Sequence, residues 1–387
     1  MGLELRLCLP IILILILFSG CAELKEEVGQ KTEDLDLTKS ISQNTKTSAR
    51  ANPPIQSLET TPTIQDFCKN EIDWRYILEK SIYCALNQDE LLGISSLALE
   101  LKGEDARESA WEIVEWQSEN IEYDWEKASL PAPELVYWSD GRVEVIKGKE
   151  NIIQTPTETI KRRKGICSDY AILTAALLLE MGYQPVYILD IKFEDSPVGH
   201  TTAAIRLDDS YFPVDQLPPI LDLGSYYKKW ATHQEQFGNK RISTITVYQI
   251  SFNGSRIVVF NLGNLTADEI KQHDYTIKEK DLKTIRSTII ELVEENFNLK
   301  RDVKLNDLEK RKYMPPGYRD GGSWKIKLEY FADYYNPTFH DQFSGYIFKQ
   351  MLRDEIVKDL KKSNRFWIKV EREGEDLSVI LYFARKI

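Results

Sequence analysis

Apolar residues recur at helical spacing from Ile64 to about Leu101 (Trp74, Ile77, Leu78, Ile82, Ala85), and the same period returns between Ala106 and Ile121 (Ala110, Ile113, Val114, Ile121). Between Val143 and Ile153 the pattern assigns no clear element, whereas Thr155-Pro156-Thr157-Glu158 has the form of a helix start with proline in the first turn. From Ala171 to Met181 most positions are apolar and Gly182 follows, which predicts a buried helix ended by a glycine cap. The period then changes to that of strands. Val186–Ile191 is the first, Ser196-Pro197-Val198-Gly199 reads as a turn, and His200 opens a second strand to Leu207. Asp208-Asp209 reads as a hairpin turn, and Tyr211–Asp215 returns as its partner strand. Further on, strand-forming runs at Ile242–Phe252 and Ser255–Leu262 flank Asn253-Gly254, a strong hairpin signal. Two amphipathic faces follow, one through Leu282, Ile285, Ile289, Val293 and Phe297, the other through Phe343, Ile347, Met351 and Ile356. With strands predicted at Trp324–Phe331, Arg365–Glu371 and Leu377–Phe383, the fold class is α+β throughout.

The N-terminal end has another pattern. Arg6 precedes an apolar run, Leu7 to Phe18, of signal-peptide length but short for a helix crossing about 30 Å of hydrocarbon. From Ala22 to about Thr63 the chain is polar, carries Pro53-Pro54 and has no apolar period, so a flexible tether is expected. These shifts divide the chain into a leader (1–20), a tether (21–63), an N-terminal helical segment (64–105), a domain at 106–238 and an α+β accessory domain at 239–387.

The 387 residues, 42% hydrophobic and 29% charged, suffice for a sizeable core. Fifty basic against 61 acidic residues give a net charge of −11, which disfavours a broad grip on nucleic-acid phosphates. Five cysteines and four histidines exclude a multi-zinc array, and His233, His273 and His340 lack ligand spacing, so no metal is expected. Cys68 and Cys84 are either bridged or two buried thiols; a bridge would leave Cys167 as the odd thiol. The aromatic stretches Tyr313–Tyr318 and Tyr330–Phe339 suit either core packing or a groove for a partner. Asn253-Gly254-Ser255 and Asn264-Leu265-Thr266 match the glycosylation sequon. Oligomeric state has no signal in the sequence.

Candidate chemistry gathers at Cys167, which opens the buried helix. Unpaired N–H groups and the positive end of the helix dipole there favour thiolate. A thiol with a free pKa of about 8.5 needs a base beside it, the task that suits His200, and Asp215 would fix the imidazole's tautomer. The backbone N–H of Cys167 is an oxyanion donor in such a site, with Gln154 a candidate side-chain donor. Asp169 reads as a first-turn helix acid, and Asp208 and Asp209 as turn residues.

Three motifs, Gly165-Ile166-Cys167-Ser168-Asp169-Tyr170-Ala171, Gly199-His200-Thr201-Thr202-Ala203 and Phe212-Pro213-Val214-Asp215, together resemble the transglutaminase-like superfamily, as do Trp116–Tyr123 and Thr155–Ile160 upstream. The resemblance spans about Ala106 to Trp230. It implies a papain-like core, with a cysteine on a helix N-terminus packed on an antiparallel sheet that bears the His and Asp. It also implies a catalytic triad of Cys167, His200 and Asp215, no organic cofactor, and a peptide or protein substrate attacked through a thioester. A non-catalytic surface protein that keeps the cleft to bind peptide is the alternative. Ser19-Gly20-Cys21 resembles the lipobox of prokaryotic lipoproteins, implying lipidation of Cys21 and a membrane-anchored, extracytoplasmic chain. An uncleaved N-terminal anchor is the other reading.

Overall fold

The computed structural model describes residues 4–6, 68, 72–139, 143–194, 196–234, 238–253, 256–311 and 313–387. The apolar run of the leader, Cys21, the tether and the Gly254-Ser255 turn lie outside them. Short helices at Leu78–Ala85, Gln88–Gly93 and Ser95–Glu100 realise the first periodic stretch. α1 (Ala106–Asn120) starts on Asp105, whose carboxylate accepts the N–H groups of Arg107 and Glu108. α2 (Pro156–Arg162) starts on a capping box between Thr155 and Glu158. α3 (Cys167–Glu180) is apolar on all sides and buried along almost its whole length. Ile172, Leu173 and Leu177 have no exposed surface, each contributing about 1.5–3 kcal/mol on burial.

α3 packs on a five-stranded antiparallel sheet built from β1 (Val186–Phe193), β2 (Ser196–Leu207), β3 (Ser210–Val214), then, after α4 (Leu223–Thr232), β4 (Ile242–Asn253) and β5 (Arg256–Thr266). Its order is β5-β4-β1-β2-β3, with Ala203 opposite Val214 and Arg256 opposite Asn253. The expected turn at Ser196–Gly199 is strand instead, and β2 begins at Ser196 opposite Phe193. The ladder shifts register between Ile191 and Phe193, and a Cβ at Gly199 would lie 2.6 Å from the Ile191 carbonyl oxygen. Gly199 therefore serves close strand approach at a bulge, not a turn. Asp208 and Asp209 both have positive φ, 45° and 66°, as a two-residue primed hairpin turn requires.

The C-terminal region follows with α5 (Glu279–Phe297), β6 (Tyr318–Leu328), α6 (His340–Met351), α7 (Asp354–Lys362), β7 (Arg365–Glu373) and β8 (Asp376–Lys386). Its sheet runs Glu4–Arg6, β6, β8, β7, Lys300–Arg301, antiparallel inside and parallel at both edges. Two expectations change. β6 ends at Leu328 because Tyr330 takes a left-handed conformation and opens the short helix Phe331–Tyr334. The face from Phe343 to Ile356 is broken at Leu352-Arg353 into α6 and α7.

The boundaries at 105 and 238 do not separate bodies. Residues 68–387 belong to one compact unit, and one apolar cluster runs from Ile82 to Phe383. Phe339 of the C-terminal region meets Trp111 of α1 at 6.0 Å and Phe212 of β3 at 5.3 Å between ring centroids. Cys68 and Cys84 are bridged, which leaves Cys167 as the free thiol among the described residues. Among those residues no helix is long and apolar enough to cross a membrane.

Candidate active site

The position of Cys167 is set by a turn that a neighbouring strand pins at its flank. Glu122–Tyr123 pairs in parallel with Lys164–Gly165, so the strand before Cys167 is held at its flank. Ile166 then caps α3 and Cys167 is its first residue, half-exposed, at a helix end whose first N–H groups have no intrahelical acceptor. Asp169 sits one turn on with no exposed surface and gathers four donors. They are the N–H of Ile166 (2.8 Å), the N–H of Gln154 (2.8 Å), its Nε2 (2.9 Å) and Lys127 Nζ (2.6 Å). A Cβ at Gly165 would approach that of Asp169 to 2.9 Å, so the missing side chain lets the carboxylate tuck in. Asp169 thus holds the backbone before the thiol and takes no place beside it.

β2 and the end of β3 supply the other two groups. His200 is buried, and its Nε2 lies 3.1 and 3.2 Å from the two carboxylate oxygens of Asp215. Cys167 lies close enough for its charge to act on the ring, and with Nε2 directed at Asp215 the nitrogen left to face sulfur is Nδ1. Burial alone would pull the His200 pKa down, but the charge and hydrogen bond of Asp215 and the Cys167 contact outweigh it and push it up to about 10. For Asp215 burial pushes upward and the adjacent imidazolium wins, holding the carboxyl well below its usual range. The structure therefore brings Cys167, His200 and Asp215 together, with an imidazolium and a carboxylate as the resting pair.

Gln154 is placed differently from its expected role. It is buried, and its two amide hydrogens go to the Lys164 carbonyl (3.2 Å) and to Asp169 (2.9 Å), so no side-chain donor remains for an oxyanion. It serves instead to bind Asp169, and the backbone N–H of Cys167 is the donor left for that task. Other residues matter that the sequence reading passed over. Tyr226 donates its hydroxyl to Asp215 (2.7 Å), and Trp230, one turn further along α4, packs on the His200 ring at 4.9 Å. Burial and the Asp215 charge hold the Tyr226 hydroxyl protonated well above its usual range. The Tyr123 hydroxyl is held protonated above its usual range by burial and by the charge of Cys167, and Trp125 packs against its ring at 4.6 Å. The spacing of Tyr226 and Trp230 on an amphipathic helix just after Asp215 was the signal available for the first two. Lys127 lay in a stretch without periodicity and had none.

The family profile described as transglutaminase-like domain matches residues 92–248, which contain all three groups. A UPF0252 protein of Archaeoglobus fulgidus is 34% identical over 341 residues, spanning 86% of this chain and 95% of its own. One of Pyrococcus furiosus is 29% identical over 343 residues, spanning 88% and 93%. Calcium-bound LapG of Legionella pneumophila aligns in structure over 51% of this chain and 86% of its own at 15% identity, with a TM-score of 0.26. By the extent and identity of the first relative and the match of the profile, the chain belongs to the UPF0252 family and carries a transglutaminase-like domain.

Proposed function

We propose that the protein is an extracytoplasmic, lipid-anchored thiol enzyme that hydrolyses or transfers the acyl group of peptide or side-chain amides through a thioester on Cys167. A His200 bound by Asp215 and close enough to Cys167 for the two to interact electrostatically carries this reading. An imidazolium within hydrogen-bond reach is one of the settings that activates a thiol. Cys167 Sγ attacks the carbonyl carbon, the oxyanion takes the Cys167 N–H, and His200 gives its proton to the leaving nitrogen as the carbon–nitrogen bond breaks. Water or an amine then attacks the thioester while His200 takes back a proton, and the carbon–sulfur bond breaks. Asp215 keeps the imidazole oriented and stabilises it whenever it is charged, and Tyr226 holds Asp215.

The anchoring rests on Ser19-Gly20-Cys21 and the polar tether, and the Cys68–Cys84 bridge fits an oxidising compartment. Alkylation tests the chemistry. Cys167 should react with iodoacetamide well below about pH 8 and lose that reactivity in His200→Ala, and peptide amides should leave an acyl adduct on Cys167 visible by mass spectrometry. Slow alkylation, equal in both proteins, would leave a peptide-binding scaffold as the better reading.

A further inference from the structure

Beyond the triad, α4 ends in a second buried imidazole. His233 follows its last turn with a side chain 1% exposed, stacked on Tyr330 at 4.0 Å. Its Nδ1 lies 3.1 Å from the Tyr334 hydroxyl. Its Nε2 is buried without a hydrogen-bond partner. That atom faces two carboxylates at distances too long for hydrogen bonds, Asp333 at 4.0 Å and Glu375 at 3.7 Å. Asp333 comes from the short helix after Tyr330, and Glu375 from the turn between β7 and β8.

We propose that His233, Asp333 and Glu375 bind a divalent transition-metal ion of the zinc class. Their ligand atoms all lie within 4.8 Å of one another. Donors at about 2.1 Å around a tetrahedral ion stand about 3.4 Å apart, so small rotamer changes close the set. An imidazole with two carboxylates suits zinc and its neighbours and is a poor cage for calcium or magnesium, which take oxygen ligands. One neutral imidazole and two carboxylates balance a dication, and three protein ligands leave a fourth position for water. The Tyr334 hydroxyl can accept the Nδ1 proton, which directs the Nε2 lone pair at the ion, the outer-shell arrangement of metal-bound histidines. Glu375 is 58% exposed and gives the ion a way in. Arg372, 3.8 Å from the other Asp333 oxygen, is the nearest competitor, and Asp376 is already taken by Lys327 and the Tyr330 N–H. Bound there, the ion would clamp the C-terminal region to the helix that holds Tyr226 and Trp230 against the triad.

The test uses the full chain in a Cys167→Ser background, since a thiol beside an imidazole can take zinc by itself. After chelation and dialysis against zinc, metal analysis should find one ion per chain, and cobalt(II) in its place should give the intense visible bands of a four-coordinate site. His233→Ala should abolish binding, and Glu375→Gln, at an exposed position that leaves folding intact, should weaken it at least tenfold. Loss of the zinc in Cys167→Ser alone, undiminished binding in Glu375→Gln, or preference for calcium over zinc would overturn the proposal. None of these readouts depends on catalysis, so the thiol chemistry stands or falls separately.

Discussion

Two imidazoles, His200 in the antiparallel sheet and His233 at the end of α4, are both buried, both packed on aromatic rings and both faced by carboxylates. His200 holds Asp215 at 3.1 and 3.2 Å, while His233 stands 4.0 Å from Asp333 and 3.7 Å from Glu375. The first is pushed up to about 10 because the charge and hydrogen bond of Asp215 overcome burial. For the second burial is the larger effect, the two acids offset it only in part, and the pKa is lowered. The hydrogen bond that Asp215 makes and that Asp333 and Glu375 are too far away to make is one cause of the difference; Cys167 beside His200 and Lys228 near His233 widen it. The first ring is built to hold a proton near sulfur, the second to offer a lone pair.

The largest test of this contrast is Asp215→Asn. It leaves His200 buried with no charge to hold its proton, and the acylation rate should fall about 10⁴-fold, as when a triad loses its acid. The folded wild type keeps the His200 proton up to about pH 10, whereas the unfolded chain releases it near 6.5, so native protein binds more protons between these values. The stabilisation is therefore complete below pH 6.5 and lost as pH rises through about 10. Denaturant midpoints of wild type and Asp215→Asn should converge over that window; a gap that stays constant would mean the pair does not hold the proton.

A smaller effect, on folding, comes from the Lys127–Asp169 pair at 2.6 Å, with side chains 8% and 0% exposed. Lys127→Met leaves a carboxylate buried beneath the nucleophile without its cation and should cost about 3–5 kcal/mol in urea unfolding. A loss under 1 kcal/mol would show that the other three donors suffice for Asp169. The mildest is Tyr226→Phe, which removes one donor from Asp215 and should cost about 1.5–3 kcal/mol while alkylation of Cys167 stays dependent on His200. An alkylation rate in Tyr226→Phe as low as that of His200→Ala would make the hydroxyl part of the proton path itself.

The difference between the two imidazoles also explains what the sequence could reveal. Cys167, His200 and Asp215 lie on consecutive elements, a helix start and two hairpin-connected strands, and each element has a local signature. His233, Asp333 and Glu375 come from a helix end, a one-turn helix and a hairpin tip with the whole C-terminal region between them. No spacing rule reaches across such distances, so the sequence carries no signal for this cluster. Gln154 shows the opposite failure: its side chain chemistry fitted an oxyanion donor, but a buried carboxylate two elements away claimed its hydrogens first. The break between α6 and α7 was visible in the spacing, since Met351 to Ile356 is five residues where a helix repeats every three or four. Tyr330 was not legible as a strand end, because aromatic residues favour strands and nothing local marks a residue with φ of 64° whose N–H is accepted by Asp376, 46 residues on.

Phe339, packed against both Trp111 and Phe212, makes the transglutaminase-like half and the C-terminal half share walls. Replacing either half by a foreign module would strip these rings of their partners and expose apolar surface in the half that stays, so neither can be exchanged without refitting the other.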